Sequence, residues 1–128
     1  MEFSASYADA FQIEVINTQG STWNGTVVDT TTGKRVQIGS WNLPTGTGGI
    51  EGGPQLCFLE YYVGTEQQDC STFPYTSVVY GVPTTTTSGA IGTLGDAYEY
   101  DENDSCEGRA GFETHRTSDQ GVEVSIGF

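Results

Sequence analysis

Positive charge is what this chain lacks most. Its 128 residues hold four lysines and arginines against 17 aspartates and glutamates, for a net charge of −13. Lys34, Arg35, Arg109 and Arg116 are the whole basic complement. Such a surface repels polyanions, so nucleic acid is not an expected partner. Docking on an anionic membrane is disfavoured for the same reason. Long apolar runs are missing, and no stretch reads as a membrane-spanning helix. The first residues show neither the basic n-region nor the apolar core of a signal peptide. Met1 is therefore read as a start placed on a mature secreted chain, a natural cytosolic start being the alternative. Helical periodicity is also scarce, and the Gly-rich stretch 44–54 has no basic residue and no helix pattern after it, which excludes a phosphate loop.

Histidine and cysteine are few. His115 stands alone, and the spacing of Cys57, Cys70 and Cys106 fits no zinc motif. Cys57 lies in an apolar stretch that suits a buried thiol. Cys70 and Cys106 lie in polar, acidic loops, and a Cys70–Cys106 disulfide is the expected pairing. Closing a loop of this size stabilises by about 4 kcal/mol in the chain-entropy picture. Three free thiols, or an intermolecular bridge through the odd cysteine, are the alternatives.

What is present is alternation. Val122, Val124, Ile126 and Phe128 fall on one face of a strand, with Glu123, Ser125 and Gly127 on the other. Hydrophobic residues make up only 35%, but 12% of the chain is aromatic, and each ring buries a large area. The polar residues are chiefly Thr, Ser, Gly, Asn and Gln, which suit sheets and turns better than helices. Strands are expected at 10–18 (Phe11, Ile13 and Val15 inward), 22–29 and 35–43 (Val36 and Ile38 inward), forming a meander. Asn24-Gly25 marks either a turn or a bulge. Residues 55–63 should form a central strand, followed by strands at 77–82 and 97–100. A hairpin of 109–116 and 122–128 closes the pattern. The expectation is one all-β domain over 1–128, an antiparallel β-sandwich or jelly roll of about eight strands. Residues 1–9 show no pattern and read as a mobile arm. A closed barrel is the runner-up.

The strings Trp23-Asn-Gly-Thr-Val-Val-Asp-Thr-Thr-Thr-Gly33, Ile38-Gly-Ser-Trp41, Phe58-Leu-Glu-Tyr-Tyr62 and Gly127-Phe128 together resemble secreted fungal or bacterial β-sandwich domains of uncharacterised function. The resemblance spans most of the chain. It implies the company of carbohydrate-active proteins and brings no catalytic residues with it.

Chemistry must come from residues in the right places. Nucleophilic catalysis needs a base beside the nucleophile; His115 has strand parity opposite to Phe112 and reads as a solvated surface side chain. Glycoside hydrolysis needs two carboxylates; Glu60, between aromatic residues, is the best candidate for a small hydrolase or lyase. Calcium needs converging oxygens, and Asp101, Asn103, Asp104 and Glu107 are the candidates, with Asp96 and Glu99 nearby. That series lacks the glycine and distal Glu of an EF-hand, and an acidic solvated loop is the plainer reading. No cofactor is required, with calcium the one candidate.

Sugar binding needs exposed planar aromatics with amide and carboxylate acceptors around them. Trp41 shares parity with Gln37 and opposes Val36 and Ile38, so it is expected to be exposed. Tyr62, Tyr75, Tyr98 and Tyr100 are further platforms, Glu60 is an acceptor, and Trp23 is expected in the core. Asn24-Gly-Thr26 and Asn103-Asp-Ser105 match the glycosylation sequon, and Thr84–Thr87 is an O-glycosylation candidate or a plain loop. The sequence reading is thus an extracellular, non-catalytic module for a neutral glycan. A structural or self-assembling protein is the second hypothesis, and a small hydrolase or lyase the third.

Overall fold

A computed structural model describes residues 6, 9–50, 56–60, 69–100 and 106–128. The chain is all-β. Its described residues form six strands in two three-stranded antiparallel sheets, with one short 3-10 turn at Cys70–Thr72 and no α-helix. The chain divides into two compact units, Met1–Pro54 and Gln55–Phe128. The 1–9 arm lies largely outside the described residues.

The first unit is the expected meander: β1 (Phe11–Gln19), β2 (Thr22–Asp29) and β3 (Arg35–Asn42), in that order. Asn17 secures the first turn, its side-chain amide donating to the carbonyls of Gly20 (2.9 Å) and Thr22 (3.2 Å). Asp29 builds the second. Its carboxylate accepts the N–H groups of Thr31 (2.8 Å) and Thr32 (3.0 Å) and the Thr32 hydroxyl (2.6 Å). This local side-chain turn competes with the ladder and ends β2.

The β2–β3 register breaks between Gly25 and Thr26: Gly25 faces Gly39, but Thr26 faces Gln37. Ile38 is the extra residue, so the irregularity hinted at by Asn24-Gly25 is a β-bulge, carried by β3. The expected inward set changes as well. Ile13 (69% exposed), Val15 and Ile38 are exposed rather than inward, while Phe11 and Val36 are half-buried.

The second unit orders β4 (Thr76–Tyr80), β6 (Val122–Ile126) and β5 (Glu113–Arg116) side by side. The C-terminal strand is central. Ladders on both edges bury Val122, Val124 and Ser125. The β5–β6 hairpin is as expected. Phe128, however, is exposed, because the strand stops at Ile126 and Gly127 turns the chain at φ 90°. Only glycine fits there: a Cβ on Gly127 would collide with the Pro74 carbonyl oxygen. The disulfide Cys70–Cys106 is formed, with Cα atoms 5.5 Å apart. Asp69 caps the turn at Cys70 through the Ser71 N–H (3.0 Å) and hydroxyl (2.7 Å).

Two expected strands are irregular. Leu56–Glu60, the described part of the 55–63 segment, has no ladder, and Leu56 and Phe58 are exposed. Ala97–Tyr100 has none either: Tyr98 and Tyr100 face solvent, and the Glu99 carboxylate accepts the Gly108 N–H at 2.7 Å. Alternation in sequence marks a possible strand but supplies no partner edge, and without one the segment stays irregular.

Candidate functional site

The best-formed surface feature lies on one face of the first sheet. Trp41 of β3 stands directly opposite Trp23 of β2, and the next like-facing pair is Gly25 and Gly39. Two facing glycines leave a shallow slot in the sheet, and the Trp41 indole occupies it. A Cβ built on Gly25 would lie 3.0 Å from Cη2 and Cζ3 of the ring, and one on Gly39 would overlap the ring. The indole therefore lies flat over the sheet. It remains 49% exposed, so one ring face is available to a ligand. Exposed Ile13, Val15 and Ile38 accompany it on the same face. Trp23, expected in the core, is half-buried.

The exposure of Trp41 agrees with the sequence reading, but its facing does not. Counted along an unbroken strand, Trp41 opposes Val36. The bulge at Ile38 shifts the count by one and brings both residues to the same face. Gly25, Gly39, Ile13, Val15 and Ile38 were therefore missed as site residues. The signal was the pair of glycines in adjacent strands, and reading it required the register.

The opposite face of this sheet carries an ion pair, while Asp29 lies at the end of β2 on the Trp41 face. Glu14 and Arg35 form that pair across β2. The hydrogen bond to Glu14 raises the Arg35 pKa above its ordinary value. Asn24 shares that face at mid-sheet, half-buried, and its Oδ1 has no hydrogen-bond partner.

In the second unit, Arg116 reaches Asp96 (2.9 Å) and the Leu94 carbonyl (2.8 Å), while His115 contacts Glu123 directly opposite at 3.0 Å. Asp96, His115 and Arg116, with Ala97, Thr114 and Val122, edge an open depression of about 260 Å³. Within it Arg116 and Asp96 are paired with each other. Burial, chiefly, raises the Tyr80 pKa above its ordinary value. Cys57 itself is free and exposed rather than buried.

The other anticipated residues lie in the second unit or outside the described residues. Tyr98, Tyr100, Glu60 and Glu107 are exposed and belong to the second unit. Tyr98 and Tyr100 share one irregular segment. Tyr62 lies outside the described residues, as do the calcium candidates Asp101, Asn103 and Asp104. Among the described residues, no three His, Cys, Asp or Glu side chains are grouped to hold a metal ion, and no helix is long and apolar enough to cross a membrane.

No family model, no curated protein and no solved structure matches this chain.

Proposed function

We propose that this chain is an extracellular, non-catalytic module that binds a neutral glycan, with Trp41 as its stacking platform. The carrying observation is the half-exposed indole held flat on Gly25 and Gly39. A planar apolar ring suits the apolar face of a pyranose, and a ring already held in place loses little freedom on binding. The charge of −13 supports an uncharged ligand over nucleic acid or an anionic membrane. The Cys70–Cys106 disulfide supports an oxidising, extracellular setting. We take the two antiparallel sheets as parts of a sandwich or jelly roll, in line with the resemblance to secreted β-sandwich domains.

A second reading, self-association, is favoured by the exposed apolar Ile13, Val15 and Ile38. A glycan array with a polysaccharide pull-down, on material of checked size, separates the two. Binding that falls by about tenfold in Trp41→Ala supports the platform. No glycan binding by a chain that elutes as large particles supports assembly instead.

A further inference from the structure

Among the described residues of the first sheet, few on the Trp41 face can read a hydroxyl group. The face presents Ile13, Val15, Val27, Ile38 and the half-buried Trp23 around the indole. Its polar side chains Asn17 and Asp29 serve turns at the sheet's ends. Asn17 spends its amide on the carbonyls of Gly20 and Thr22, and the Asp29 carboxylate is occupied by Thr31 and Thr32. The Glu14–Arg35 pair stands on the opposite face.

A soluble oligosaccharide is normally held in a concavity by a few convergent polar groups. Its hydroxyls lose water on binding and need partners in return. A surface of rings whose hydroxyls already bond to one another asks only for apolar contact and flatness. We propose, resting on the glycan-binding reading above, that the Trp41 face takes the exposed ring faces of a stacked, insoluble, β-linked neutral polysaccharide rather than a single soluble chain. Gly25 and Gly39 are positioning residues for this platform, because a side chain at either would lift the indole out of plane.

The test incubates the full chain with microcrystalline cellulose and with chitin, and measures its depletion from the supernatant. Soluble cellohexaose and chitohexaose serve as competitors. Retention is expected on at least one solid, undisturbed by the hexamers and unchanged between about 0.05 and 0.5 M salt, since no charge takes part. Trp41→Ala is expected to lower partitioning by at least about tenfold, while Trp41→Tyr, with a planar ring retained, loses much less. Far-UV circular dichroism checks that each variant is folded. Tight binding to a hexamer without retention on either solid overturns this inference and leaves glycan binding standing. Binding to neither form overturns both. Retention undiminished in a folded Trp41→Ala overturns the platform.

Discussion

One residue, Ile38, decides which way Trp41 faces, and another, Asp29, shows how single side chains set this molecule's response to acid. Hydrogen bonding to the Thr32 hydroxyl, then to the Thr32 and Thr31 amides, holds the Asp29 pKa below its ordinary value. Asp69 is lowered chiefly by the Ser71 hydroxyl, and Asp119 by the Thr117 hydroxyl. A carboxylate with a depressed folded pKa contributes stability that is present above its unfolded value and is lost as pH falls through the folded one. All three act in this direction. The urea midpoint is therefore expected to hold from neutral pH down to about 4 and to fall below that. Asp29→Asn should make the fall shallower. Equal midpoints for the parent chain at pH 3 and pH 7 would remove these turns from the account.

At the scale of elements, position within a sheet matters more than apolar content. β6 lies between β4 and β5, and its Val124 is only 8% exposed. Val79 of the edge strand β4 is 55% exposed. Truncating Val124 to Ala leaves a void and is expected to cost roughly 2 kcal/mol. Val79→Ala is expected to cost less than about 1 kcal/mol. Chemical denaturation of both variants checks this, and equal losses would mean that the two strands are equally buried. The same logic separates the segments that paired from those that did not. Thr22–Asp29 and Val122–Ile126 gain a neighbour on each side. Leu56–Glu60 and Ala97–Tyr100 carry similar aromatic residues but have no ladder.

For the molecule as a whole, the described core is thin. Among the described residues, Val28, Cys70, Ala110, Val122 and Val124 are the buried apolar side chains. A cross-link then carries a large share of the stability. Cys70 and Cys106 are 36 positions apart, and removing the bond is expected to cost about 4 kcal/mol through the freed entropy of the unfolded chain. A Cys70→Ser/Cys106→Ser double variant should show this loss in urea titration, and reductant should shift the parent towards the variant while leaving the variant unmoved. A variant as stable as the parent would place the stability elsewhere.

Much of this organisation is local chemistry that the residues specify themselves. Period-two alternation in Phe11–Gln19 and Val122–Ile126 predicts strands, and both form because β-branched and aromatic residues pack well on a pleated surface. The acidic excess needs no fold to be read. Cys70 and Cys106, in two polar loops, are a pairing that the sequence brings forward and the structure makes. Facing and partnership belong to the tertiary structure. Side chains alternate with a period of two, so the single extra residue at Ile38 reverses every facing beyond it, and it is visible only against β2. That inversion brings the Trp41 ring to the slot left by Gly25 and Gly39, whose meeting depends on strand register and on nothing that either segment carries alone.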